Sequence, residues 1–188
     1  MRNSPRKERA RLVLDSNGFA TRERLVAYDM GNTLLMLNLE LQQRFGLRAE
    51  EYQIFLLIVL STVQRYARNP EPDENFLDRT PLPAEAAGSI SRRRVSETLD
   101  IPLETVRRSV ASLLARGVIV ERRRGCLSTS GGTLALLRED ALPERMARRF
   151  LTVSNTMIRL GAAQISEKER LPASKFPTAD VAAEPEPE

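Results

Sequence analysis

Between residues 90 and 128 the apolar pattern changes its period twice, and no other stretch of the chain restricts the fold as strongly. Ser91 precedes Arg92-Arg93-Arg94-Val95, and Val95 and Leu99 stand four apart, one helical face behind an N-cap serine. Asp100-Ile101-Pro102 breaks that helix after about two turns. A second helix starts near Pro102, with Leu103, Val106, Val110, Leu113 and Leu114 on one side and Gly117 closing it. Val118-Ile119-Val120 is β-branched and reads as a strand, Arg123-Arg124-Gly125 as a turn, and Cys126-Leu127-Ser128 as the returning strand.

Short helix, tight turn, longer helix and β-hairpin, in this order, form a winged helix-turn-helix. The fold class expected is therefore mainly α: a three-helix module with a small β-hairpin wing, flanked by N- and C-terminal dimerisation helices. Pro102-Leu-Glu-Thr-Val-Arg-Arg-Ser-Val110 followed by Leu113-Leu-Ala-Arg-Gly-Val-Ile119 resembles the recognition helix and following strand of GntR-type regulators. The overall layout is similar to MarR-type regulators: helices, winged module, then helices that dimerise. Asp100 and Ser96 depart from that pattern, standing where a glycine and an alanine are usual. The hairpin also lacks the MarR-type acidic–basic pair. The resemblance implies a DNA-binding transcriptional regulator.

Side-chain chemistry points the same way. On a helical wheel Glu104, Thr105, Arg108 and Ser112 lie opposite the Val106/Val110/Leu113 stripe, the face that would enter a major groove and read bases. Arg108 suits a bidentate contact to guanine, and Glu104 can accept from a cytosine amine. Ser91 caps the first helix, and Arg92, Arg93 and Arg94 fill its first turn, where the helix dipole disfavours cations. Facing phosphates, the same placement is favourable, because backbone N–H groups and guanidinium groups meet one anion. Arg107 and the run Arg122, Arg123 and Arg124 complete the expected phosphate and wing contacts.

Charge distribution separates this placement from mere composition. The chain has 188 residues and a formal charge of +4, with three Lys (Lys7, Lys168, Lys175) among its 29 basic residues. Such an arginine skew also arises from a GC-rich coding sequence. Residues 88–128, however, hold nine Arg against Glu97, Asp100, Glu104 and Glu121, a local +5 that leaves the remainder near −1.

Around the module the chain reads as 1–20, a basic flexible arm; 21–68, an N-terminal helical hairpin; and 69–87, a Pro-rich linker. The module spans 88–130, C-terminal helices follow over 131–166, and 167–188 is an acidic tail of Pro, Ala and Glu expected to be disordered. In the hairpin Tyr52, Phe55, Leu56, Val59, Leu60, Val63 and Tyr66 form the main stripe of the second helix. Leu34, Leu37 and Leu41 belong to the first helix; Met146, Phe150, Val153, Met157 and Leu160 step by four, three, four and three farther on. These eight are the candidate dimerisation residues, since two such apolar surfaces exceed what one small domain hides.

Other chemistry is mostly excluded. The chain has no His and a single cysteine, Cys126, which removes His-based triads, His-containing zinc sites, intramolecular disulfides and iron–sulfur clusters. Cys126 is a redox-sensor candidate beside the arginine run, with an inert core cysteine as the plainer reading. Tyr28, Tyr52, Tyr66 and the phenylalanines could line a small-molecule effector pocket or simply fill the core. No catalytic residue, metal or cofactor is assigned, and the protein is not read as an enzyme. Its longest apolar run, Ile54–Leu60, is far short of the ~20 residues of a membrane span. A cytoplasmic, nucleoid-associated protein is expected. It would bind double-stranded DNA as a homodimer on an inverted-repeat operator. A replication or plasmid-maintenance protein and a winged-helix adaptor for protein partners are the alternatives.

Overall fold

Gly46 lies at φ +55°, and the N–H groups of Gly46 and Leu47 donate to the carbonyls of Gln43 and Gln42 at 3.2 and 2.8 Å. This left-handed C-cap turns the chain between its two longest helices, where glycine avoids a Cβ penalty. The computed structural model describes residues 10–67, 87–123 and 125–166. In chain order its elements are β1 (Arg11–Leu14), α1 (Ser16–Phe45), α2 (Ala49–Ala67), β2 (Ile90–Ser91), α3 (Arg92–Leu99) and α4 (Leu103–Ala115). Then come β3 (Ile119–Arg123), β4 (Cys126–Thr129), α5 (Gly131–Glu139), α6 (Leu142–Arg159) and β5 (Ala163–Ser166). The protein is mainly helical with small antiparallel sheets. Residues 1–9 of the expected arm, 69–86 of the linker, Arg124 and the tail from 167 lie outside the described residues, as do the side chains of Tyr66 and Arg123.

The chain divides into two units, one of residues 34–149 and one of residues 1–33 with 150–188. The core of the 34–149 unit gathers Leu41 and Phe45 of α1, Ile54, Phe55 and Ile58 of α2, Val95 of α3, Val106, Val110 and Leu113 of α4, Ile119 of β3 and Leu127 of β4. Phe45 and Phe55 pack with ring centroids 4.9 Å apart. The buried residues of α2 are Glu51, Tyr52, Ile54, Phe55, Ile58 and Thr62, with Leu56, Val59 and Val63 half-buried and Leu60 exposed. Tyr52 and Phe55 of the expected stripe are therefore buried, whereas Leu60 is not, and the buried side is shifted to include Glu51 and Thr62. Two polar residues belong to the buried face because their oxygens find partners on α4 and β4.

Thr62 shows how. Its Oγ1 donates to the Ile58 carbonyl at 2.8 Å, meets Oγ1 of Thr129 at 3.2 Å and accepts the Thr129 N–H at 2.9 Å. Ser128 Oγ donates to the Gly88 carbonyl at 2.9 Å, and the Gly88 N–H donates to the Thr62 carbonyl at 2.8 Å. A Cβ on Gly88 would lie 2.3 Å from the Ser61 carbonyl oxygen, so only glycine permits this approach. The three-stranded sheet is thereby fixed to α2. Its order is β2-β4-β3, all antiparallel, with Ile90 opposite Leu127, Ile119 opposite Thr129, and a register shift between Glu121 and Arg123.

Beyond the sheet, Ser130 caps α5, accepting the Thr133 N–H at 3.2 Å, and Thr133 Oγ1 donates to the Val118 carbonyl at 2.9 Å. Thr129–Gly132 is thus the end of β4, a cap and the start of α5. Glu40 of α1 holds Arg145 of α6 at 2.7 Å, and Arg44 pairs with Asp140.

The second unit pairs β1 with β5 antiparallel, Arg11 opposite Ser166 and Leu14 opposite Ala163. Residues 11–14 therefore form a strand rather than part of a flexible arm. The helix begins at Ser16 rather than Thr21, and residues 163–166 are a strand rather than helix. The partner strand lies at the other end of the sequence, so Arg-Leu-Val-Leu alone gives no sign of the pairing. Asp15 caps α1, taking the Gly18 N–H on Oδ1 at 2.8 Å. Among the described residues of this unit, Val26, Val153, Ala162 and Ala163 are the buried apolar ones.

Candidate nucleic-acid interface

The Ser91 N-cap forms as expected: its φ and ψ are −80° and 155°, and its Oγ accepts the Arg94 N–H at 3.2 Å. α3 ends on Asp100, which adopts a left-handed conformation at φ 53° and donates its N–H to the Ser96 carbonyl. Ser96 Oγ in turn donates to the Ile101 carbonyl at 2.6 Å, and α4 follows Pro102 at once. The two residues that depart from the regulator pattern therefore build the turn between α3 and α4. Asp is among the few non-glycine residues that tolerate this backbone.

Val106, Ser109, Val110 and Leu113 form the buried side of α4. Glu104, Arg107 and Arg108 are exposed, and Thr105 is half-buried. Arg107 pairs with Glu104 at 3.3 Å, whereas Arg108 forms no ion pair with any described residue. Ser112 is placed differently from the expectation. It is half-buried, and its side chain hydrogen-bonds the carboxylate of Glu51 on α2. The wheel is right about its angle on α4 but cannot know that α2 covers that angle at the C-terminal half of the helix. Burial pushes the Glu51 carboxyl up, but hydrogen bonds from the Arg48 side chain and backbone and from Ser112 outweigh it and hold the group below its usual value.

At the start of α3 the three arginines have separate surroundings. Arg92 is clamped to Glu121 of β3, Nη2 to Oε2 at 2.7 Å and Nη1 to Oε1 at 3.2 Å. The same carboxylate accepts the Gly125 N–H at 2.7 Å. The Arg92 hydrogen bonds, aided by Gly125, hold the Glu121 carboxyl at about 2, and Glu121 raises Arg92. Arg93 is exposed and pairs with Glu97 at 2.8 Å. Arg94 lies 3.6 Å from Glu97, with its Nε shielded from solvent and lacking a hydrogen-bond partner. Arg93, with Arg94 beside it, lowers the Glu97 carboxyl.

The arrangement brings the N-terminus of α3 and the β3–β4 hairpin together through Arg92 and Glu121. It leaves Arg93, Arg107, Arg108 and Arg122 exposed. Glu121 was missed by sequence reasoning. Its signal, a lone acid on a strand running into three arginines, was there to be read. Cys126 is free and half-buried.

Of the candidate dimerisation residues, Leu34 and Phe150 are exposed and Met146, Met157 and Leu160 half-buried. Leu37, Leu41 and Val153 are buried by the chain itself, which removes them from any open face. Tyr52, Phe45 and Phe55 are core residues, while Tyr28 is exposed. Among the described residues no cluster of His, Cys, Asp or Glu could hold a metal ion, and no helix is long and apolar enough to cross a membrane.

No family model, curated protein or solved structure matches the chain.

Proposed function

We propose that β2, α3, α4 and the β3–β4 hairpin are a winged helix-turn-helix that binds double-stranded DNA in a sequence-specific way. The protein would act as a homodimeric transcriptional regulator on an inverted repeat. The observation that carries this reading is the outer face of α4. Arg108 stands there exposed and without an ion-pair partner among the described residues, opposite the buried side of Val106, Ser109, Val110 and Leu113, next to Glu104, Arg107 and half-buried Thr105. A helix presenting such a face can enter a major groove and offer a guanidinium fork to guanine.

Arg93 supports the reading in a second way. Its pair with Glu97 is an exposed i,i+4 contact, screened by solvent and weakly held. A phosphate can displace Glu97 at little cost. Arg92 differs, being held by Glu121. It is better read as the residue that places the hairpin than as a phosphate ligand. The readout set accordingly becomes Arg108, Glu104 and Thr105. Arg93, Arg94, Arg107 and Arg122–Arg124 remain the backbone set, in which Arg124 and the Arg123 side chain rest on sequence position alone.

The test is the affinity for a random-sequence duplex across a salt series. Binding that weakens steeply between 50 and 200 mM salt, as about 6–10 phosphate contacts would require, supports the reading. Absence of binding even at low salt contradicts it and favours the protein-adaptor alternative, in which the internal pairing of Arg92, Arg93 and Arg107 is the resting state of a surface that meets no anion.

A further inference from the structure

The charges of α3 run against its own dipole. Arg92, Arg93 and Arg94 fill its first turn, which holds no acid, and Glu97 stands in its last turn, which holds no base. Helix stability favours the reverse, with acids at the N-terminus and bases at the C-terminus. The Arg93–Glu97 pair is also in the weaker order, since an i,i+4 pair gains more when the acid comes first. This pattern serves something other than the helix.

The acids around it have different duties. Glu121 clamps Arg92 and takes the Gly125 N–H, Asp100 makes the turn into α4, and Glu104 stands on the outer face of α4. Glu97 is shared between two guanidinium groups, Oε1 at 2.8 Å from Arg93 Nε and Oε2 at 3.6 Å from Arg94 Nη1. The Arg93 side chain is 85% exposed, and Arg94 Nε has no hydrogen-bond partner. One carboxylate thus half-neutralises two cations in open solvent.

We propose that Glu97 is a competitor for DNA phosphate built into α3, and that it holds down the affinity of the module for duplexes of any sequence. The inference rests on the DNA-binding reading above. In the free protein the carboxylate occupies the guanidinium edges that a phosphate would take. Breaking the exposed pair costs little, but the carboxylate stays on the same helix, one turn away, and repels the phosphate that has replaced it. Phosphate contacts carry no sequence information, so the penalty falls on every duplex alike. With nine Arg in residues 88–128 the module would otherwise grip any duplex through its backbone. The penalty leaves the base contacts of α4 a larger share of the binding energy.

The test is fluorescence anisotropy of the full chain with a random-sequence duplex across a salt series. Glu97→Gln is expected to bind severalfold tighter, with the slope of log affinity against log salt steeper by up to about 0.9, one further phosphate contact. Glu139→Gln, which removes an exposed acid at the end of α5, should leave the affinity unchanged. Arg93→Ala should weaken binding more in the Glu97→Gln background than in the unsubstituted chain, because the guanidinium there meets phosphate unopposed. A general loss of one negative charge would not produce that coupling. Far-UV circular dichroism confirms that each variant is folded. If the unsubstituted protein binds and Glu97→Gln binds no tighter than it, or no tighter than Glu139→Gln, the proposal is overturned while DNA binding stands. An equal cost of Arg93→Ala in both backgrounds overturns it in the same way. If neither the unsubstituted protein nor Glu97→Gln binds a duplex at low salt, the DNA-binding reading itself fails and the proposal falls with it.

Discussion

Arg92 and Glu121 form a two-pronged ion pair, 2.7 and 3.2 Å, and the Gly125 N–H closes on the same carboxylate at 2.7 Å. One side chain on β3 thus ties the start of α3 to the tip of the hairpin. Glu121→Gln keeps the shape but removes the charge that holds Arg92. The expected result is a hairpin less firmly placed: duplex affinity falls severalfold while far-UV circular dichroism is unchanged. An affinity equal to that of the unsubstituted protein would show that the clamp does not position the hairpin for binding.

The same pair fixes a pH dependence. The Glu121 carboxyl, ordinarily near 4.5, sits at about 2 in the folded protein, chiefly through the Arg92 hydrogen bonds. A carboxyl depressed on folding stabilises the native state fully above its unfolded value, and that contribution is lost as pH falls through the folded value. Glu97, lowered by Arg93, acts in the same direction. Denaturant titrations should therefore show stability declining from about pH 4.5 towards pH 2, with a shallower decline in Glu121→Gln.

Ser112 separates a buried structural role from base readout. Its hydrogen bond to Glu51 predicts that Ser112→Ala costs about 1 kcal/mol in stability and leaves the preferred DNA sequence unchanged. A changed sequence preference, from selection with the variant, would return Ser112 to the readout face.

Thr62 carries the junction of α2 with β4. Thr62→Val is nearly isosteric but leaves the buried Thr129 N–H without its acceptor, and should cost about 1–3 kcal/mol by chemical denaturation. Thr62→Ser keeps the oxygen and should cost clearly less.

Asp100 tests the turn between α3 and α4. At φ 53° glycine carries no Cβ penalty, so Asp100→Gly should be neutral or stabilising. Asp100→Val, β-branched and without a local hydrogen bond, should destabilise by about 1–2 kcal/mol. Thermal unfolding of both variants measures the difference.

What the sequence made legible follows a physical divide. Ser91, Pro102, Gly117 and the Val106/Val110/Leu113 stripe act through neighbours within a few residues, and α3, α4 and the β3–β4 hairpin lie where those signals place them. Elements fixed by distant partners were not legible. β1 exists because residues 163–166 lie beside it, and β2 is two residues long and needs Leu127 and Cys126 opposite. The burial of Glu51 and Thr62 gives no local sign, because their partners, Ser112 and Thr129, are remote in sequence. The same blindness put Ser112 on the readout face and Leu37 on a dimer face. An outward angle on a wheel becomes a surface only when nothing else in the chain covers it.

The most direct test of the account is selection of duplexes from a random pool by the full chain, repeated with Arg108→Ala and Arg93→Ala. The expected result is a palindromic site with half-sites about one helical turn apart, relaxed at one position per half-site by Arg108→Ala, with a loss of about 1–3 kcal/mol of discrimination there. Arg93→Ala should weaken all sequences alike. If no duplex is enriched, or if Arg108→Ala selects the same site with the same discrimination, the outer face of α4 does not read DNA and the regulator reading is contradicted.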